Sequence, residues 1–218
     1  MISQHRNHTQ SRKRRPPQFE LVAGNAGLDF INTLDDRFTE PKELLTSYAD
    51  LVRFGEDSEI LTPSDADILL KQSGAEPEKA QKALRKAVEL REAMYAIFEA
   101  IAKKKRVPIP ALATLNEYVQ EAAGRRQLKQ ANGRFERRLD YLGSLDSVSW
   151  AIALTAADLL TSDQLPFVHT CSSPTCQWFF LDTSKNHRRR WCDMKACGNR
   201  AKVRRFYANQ KKHSQAHG

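Results

Sequence analysis

At 218 residues the chain can bury one large core or two modest ones, and 40% hydrophobic with 28% charged residues is the balance of a soluble protein. No uncharged apolar run approaches the roughly 20 residues that span a bilayer, and Glu20 and Asp29 interrupt any signal-peptide core. A cytoplasmic protein with no membrane contact is expected. The net charge of +9 is unevenly placed, with five basic and no acidic residues over 1–18, −5 over 19–170 and +9 over 171–218. A polyanion partner is therefore expected at the ends and not at the body.

In chain order, residues 1–18 lack apolar periodicity and read as a disordered basic tail. Its Arg12-Lys13-Arg14-Arg15 cluster is either solvated or an accessory arm touching nucleic acid. Phe19 to Ala23 suits a short strand, with Gly24 and Gly27 as turn residues. Thr39 and Pro41 open a helix with Leu44, Leu45, Tyr48, Leu51 and Val52 on one face, stopping near Gly55. Thr62-Pro63-Ser64-Asp65 is a capping box with proline at the first helical position, and Gly74 suits a left-handed end.

Pro77 starts the longest helix, to about Lys104, with Leu84, Ala87, Leu90, Met94, Ile97, Phe98 and Ile101 in one buried stripe. Pro108 and Pro110 break the chain before a helix marked by Leu112, Leu115, Tyr118 and Val119. Residues 125–142 contain Asn132-Gly133, the favoured pair for a tight hairpin turn. Ser147 to Ser162 is apolar on nearly every side and should lie centrally. Polar residues and a proline over Thr161 to Pro166 mark a domain boundary. The expected class is α+β: a mainly helical N-terminal domain over 19–165 with a few short strands, and a small finger over 166–212. A disordered tail is expected over 213–218.

All four cysteines, Cys171, Cys176, Cys192 and Cys197, lie within 27 residues as two x4-spaced pairs separated by 15 residues. Two close pairs of thiolates across a hairpin-sized gap suit one structural tetrahedral zinc ion. Disulfides are disfavoured because nothing indicates an oxidising compartment. His169 and His187 lie nearby, but four thiolates already fill the tetrahedron. A segment of roughly 40 residues is near the limit at which metals or disulfides become necessary for folding. Zinc supplies about 10–16 kcal/mol in finger peptides.

Between the pairs, Trp178 to Asp182 has strand composition, and Arg188 to Trp191 is expected to return as its hairpin partner. Ala196 to about Gln210 reads as a helix with Val203, Phe206 and Tyr207 packed on Trp178 or Trp191, and Asn199 bonded to the knuckle. Knuckle, hairpin and helix together describe a treble clef. Arg188, Arg189, Arg190, Lys195, Arg200, Lys202, Arg204 and Arg205 spread over a broad arc, which suits phosphate contacts more than base reading.

The stretch Trp191 to Arg200, with Cys197-Gly198-Asn199-Arg200 at its end, resembles the CGNR zinc-finger family, and the likeness spans residues 171–205. Residues 19–165 resemble the ABATE domain that precedes this finger, chiefly through Leu28-Asp29-Phe30-Ile31-Asn32-Thr33. The resemblance implies a bacterial, stress-related transcription regulator with a DNA-binding treble clef and a ligand-sensing N-terminal domain.

Double-stranded DNA is thus the expected partner. The alternatives are RNA, or a protein-interaction zinc module without direct DNA binding. A small-molecule ligand would meet the polar cluster Asp29, Asn32, Asp35, Asp36 and Arg37, of which Asp29, Asn32 and Arg37 are the candidate contacts. Caps and turn contacts explain those residues equally well. A homodimer would raise specificity by pairing half-sites. No nucleophile elbow, phosphate loop or H-E-x-x-H motif is present, so no enzymatic activity is expected.

Overall fold

The computed structural model describes residues 18–131, 133–139 and 144–215. Of the basic tail expected over 1–18 all but Gln18 lies outside the described residues, as do Asn132, Tyr141, the last three residues and the side chains of Lys129, Arg137, Arg138, Lys211 and Lys212. Gln18 itself bonds Asp57.

The body begins with an irregular segment and not the expected strand. Helix α1 (Ala26–Ile31) starts at Asn25, whose side chain accepts from the N–H groups of Gly27 and Leu28. Gly27 therefore lies inside α1, against Ala156, and not in a turn. Strands β1 (Leu34–Asp35) and β2 (Lys42–Glu43) form a short antiparallel pair.

Helix α2 (Tyr48–Asp57) starts later than the Thr39-Pro41 signal suggests. A reciprocal Ser47–Asp50 capping box sets its start, and Gly55 lies within it. Helix α3 (Pro63–Ala75) has the expected Thr62–Asp65 box. It passes through Gly74 in ordinary helical geometry, so no left-handed cap forms there.

Helices α4 (Pro77–Ala102), α5 (Ile109–Ala123) and α6 (Ser147–Leu160) build the main core. Ala87, Leu90, Met94, Ile97 and Phe98 of the α4 stripe are buried, as expected. Helix α6 is central and meets α1, α2, α4 and α5. Between α5 and α6, strands β3 (Arg126–Ala131) and β4 (Arg134–Leu139) form the hairpin that Asn132-Gly133 predicts. Gly133 has φ +76°, a conformation that a β-carbon disfavours and a two-residue hairpin turn requires.

One polar assembly in this core lacks any motif. Arg91 on α4 is only 2% exposed and grips Glu43 through two bonds of 2.7 and 2.8 Å. It also bonds Glu92, which in turn is paired with Arg37. Burial is tolerable because the guanidinium is paired and hydrogen-bonded. The network ties the β1–β2 segment to α4.

Beyond α6, strand β5 (Val168–Thr170) pairs antiparallel with β6 (Phe179–Leu181), Val168 opposite Leu181. This corrects the expected partner of β6. Residues 188–191 form no strand, and β6 pairs with the segment before the first cysteine. Asp182, buried at the end of β6, accepts the N–H groups of Ser184 and Arg189, which turns the chain away. Helix α7 (Asn199–Gln215) closes the described chain and runs past the stop expected near Gln210.

Candidate metal centre and basic surface

The strand pair carries the first two cysteines at its connection. The Cys171 N–H bonds the Trp178 carbonyl at 2.8 Å, folding residues 171–178 into a knuckle. The second pair is set by a wide helical turn, Met194–Gly198, leading into α7. Asp193 starts that turn by accepting from the Lys195 N–H at 2.6 Å. Gly198 packs against Met194, where a β-carbon would lie 3.1 Å from the Met194 sulfur and methyl. Asn199 donates to the Lys195 carbonyl at 2.9 Å, as expected, although it is exposed and not part of a buried stripe. The Gly-Asn pair thus shapes the turn that presents Cys197.

All four cysteines are buried, and their sulfurs lie within 4.8 Å of one another. The Cys176–Cys192 and Cys192–Cys197 separations are 3.5 and 3.7 Å. Four sulfurs about 2.3 Å from a tetrahedral ion stand about 3.8 Å apart, so the donor set fits zinc. The electrostatics agree. Hydrogen bonding from Cys176 and then Cys192 drives the Cys171 thiol down to about 2. The same sharing with Cys171 pushes the Cys176 and Cys192 thiols upward. Four buried thiolates cannot all carry charge without a cation between them. The cluster holds one structural zinc ion, and among the described residues it contains no histidine. His187 instead stacks on Phe167 at 3.8 Å.

The finger is joined to the body along β6. The Asn32 side chain donates to the Phe179 carbonyl at 2.9 Å and accepts the Phe179 N–H at 3.0 Å, as a neighbouring strand would. The Leu181 N–H bonds the Ala23 carbonyl at 2.7 Å, and Trp178 Nε1 donates to Asp35 at 2.9 Å. Phe179 packs on Tyr95 and Phe98 of α4, with ring centres 5.6 and 6.3 Å away. These contacts join residues 81 to 158 positions apart, so no local pattern announces them.

The three candidate ligand contacts have structural partners here. Asn32 is occupied by Phe179. Asp29 accepts the Ala23 N–H at 2.9 Å, and burial lifts its carboxyl to about 6 against the bonds from Ala23 and Val22. Arg37 pairs with Glu92 and lies over the Tyr95 ring at 4.0 Å. A cleft of about 860 Å³ lies between body and finger, and of the expected polar cluster it takes in Asp35 and Asp36. Glu20, Asp35, Asp36 and Lys42 line it from one side, Lys195 and Arg200 from the other.

The eight candidate phosphate contacts also divide. Arg188, Arg190, Lys195, Lys202, Arg204 and Arg205 are exposed. Arg200 is exposed too, but its guanidinium donates to the Cys197 sulfur at 3.1 Å, and that bond raises its own pKa. Arg189 is half-buried and bonded to the carbonyls of Trp191, Val22 and Cys192, 4.7 Å above the Phe180 ring. It works as internal glue between finger and body.

The largest departure from expectation concerns α7. Val203, Phe206 and Tyr207 are 54%, 59% and 60% exposed and do not pack on the tryptophans. The helix leaves the knuckle outward, and its one extensive contact with another described element is with its own turn, while Arg204 donates to the Ser173 hydroxyl at 3.4 Å.

Residues 24–163, more than half of the chain, match the family described as "ABATE: Putative stress-induced transcription regulator". The chain belongs to the ABATE family. Residues 168–210 match the CGNR zinc finger, which spans the four cysteines and most of α7. No curated protein matches the chain. Within the described residues of this ABATE protein, no helix is long and apolar enough to cross a membrane.

Proposed function

We propose that the protein is a zinc-dependent, double-stranded DNA-binding transcription regulator of the cytoplasm. The observation that carries this reading is the outward projection of α7 from the zinc knuckle, with Lys202, Arg204 and Arg205 exposed along it. Arg188, Arg190 and Lys195 add exposed cations near its base. If about six of these neutralise phosphates, log K falls with log salt at a slope of about −5. Replacing Lys202 and Arg205 by alanine should weaken binding to all sequences and make the slope shallower by about 2. Unchanged affinity and slope would remove the helix from the interface.

The module acts by binding and not by catalysis, since zinc held by four thiolates has no open coordination position. A treble clef describes the knuckle, strand pair and helix. A small-ligand role fits the cleft better than it fits Asp29, Asn32 and Arg37, which already have partners. A homodimer would let two fingers share one operator. Isothermal titration of candidate ligands and sedimentation test these two points.

A second reading has one observation in its favour. Phe206 and Tyr207, 5.7 Å apart and exposed among cations, form a surface on which unpaired bases can stack. Tighter binding of single-stranded RNA than of duplex DNA at equal salt would make RNA the partner.

A further inference from the structure

The β3–β4 hairpin is strongly basic within an otherwise acidic body, as is the shorter Lys103–Arg106 run that follows α4. Residues 125–138 contain Arg125, Arg126, Lys129, Arg134, Arg137 and Arg138 against a single acid, Glu136. Removing this stretch leaves the rest of residues 19–170 at −10. Charge so concentrated against the background creates a local positive field.

The geometry sets the hairpin apart as well. Its substantial contacts are between its own two strands, and no other described element packs on it extensively. Six paired residues on each side give it a length of about 20 Å. Two-stranded hairpins are marginal in water unless something packs on them. Yet this one leaves Leu128 71% and Phe135 73% exposed, together with Arg126 and Arg134. Phe135 pairs with Gln130, one step from the tip pair Ala131–Arg134. Cations alone would describe a solvated ribbon. Cations with two exposed large apolar side chains describe a surface built for contact.

We propose that this hairpin is a second DNA-contacting arm, which enters a groove of duplex DNA while the finger engages the backbone. The inference rests on the reading of the chain as DNA-binding. A two-stranded ribbon fits the major groove, which is about 12 Å wide. Arg126 and Arg134 reach the phosphates on either side, and Phe135 makes apolar contact with base edges near the tip. Two separated contacts give one protomer a longer footprint than its finger alone.

The test uses the full-length, zinc-loaded protein and a 30-base-pair duplex, with anisotropy read over a range of salt. Zinc content and thermal melting serve as checks of folding. The triple variant R126Q/R134Q/R137Q should flatten the log K against log salt slope by about 2–3 and weaken binding roughly tenfold near 0.1 M salt. Phe135→Ser should weaken binding with the slope unchanged. A photo-crosslinking residue at position 135 should label DNA. If both hairpin variants bind as the parent does while K202A/R205A binds weakly, the arm is overturned and the finger reading stands. If the parent itself does not bind duplex DNA, both fall. Loss of self-association, or of binding to anionic vesicles, with DNA binding intact would also overturn the proposal.

Discussion

The two halves of the finger share one zinc ion but differ in almost everything else. The first half, β5, the knuckle and β6, is built into the body, with Phe179, Phe180 and Leu181 buried and Asn32 completing the edge of the strand. The second half, the turn at Met194–Gly198 and α7, is held by Cys192, Cys197 and its own capping bonds, and its aromatic residues face outward. The contrast teaches that a small metal module can be anchored and displayed at once. Hydrophobic burial fixes one side, and coordination with a few polar bonds, those of Arg189 and Arg204 among them, fixes the side that is offered to a partner.

Removing the zinc is the most severe way to break this comparison. Cys176→Ser or a strong chelator should withdraw about 10 kcal/mol of apparent binding energy from the fold. Limited proteolysis should then cut within residues 183–215 well before the α4–α6 core. An unaltered digestion pattern with zinc shown to be absent would mean that the metal does not clamp the second half.

Matched aromatic truncations come next. Phe179→Ala should destabilise the protein by about 3–5 kcal/mol in urea unfolding, because it empties a packed site against Tyr95 and Phe98. Phe206→Ala should stay within about 0.5 kcal/mol of the parent, because its ring is already exposed. Equal losses would show that α7 packs in solution. Asn32→Ala should cost about 3 kcal/mol by orphaning the Phe179 N–H and carbonyl, with zinc content retained. Loss of zinc in that variant would make anchoring and metal binding a single event.

The effect at Asp29 is pH-dependent. The folded Asp29 carboxyl titrates near 6, above its ordinary 3.8, so the folded state holds the extra proton between those values. Its favourable contribution is fully present below about pH 4 and is lost as pH rises through 6. Asp29→Asn should therefore gain on the parent, by about 2 kcal/mol above pH 6, with little difference at pH 4. A gap between the two melting curves that does not change with pH would contradict the burial of this charge.

Signals carried by neighbouring residues were legible without coordinates. The Thr62–Asp65 cap, the α4 stripe, the α6 core helix, the hairpin at Asn132-Gly133 and the four zinc ligands all follow from short-range spacing. The α2 start was missed because two capping signals competed, and the Ser47–Asp50 box won over Thr39-Pro41. The basic hairpin was in plain view as residues but was averaged away in the charge of the whole body.

Spacing determines which residues share a face, a turn or an ion, because those relations need only the local geometry of the backbone. It does not determine what that face meets. Only the tertiary structure decided that β6 pairs backward with β5, that Asn32 stands in for a third strand, and that Arg189 is spent on carbonyls. The stripes of α4 and α7 look alike as sequence. One is buried because α5 and α6 return to cover it, and the other is exposed because the chain continues outward from the zinc.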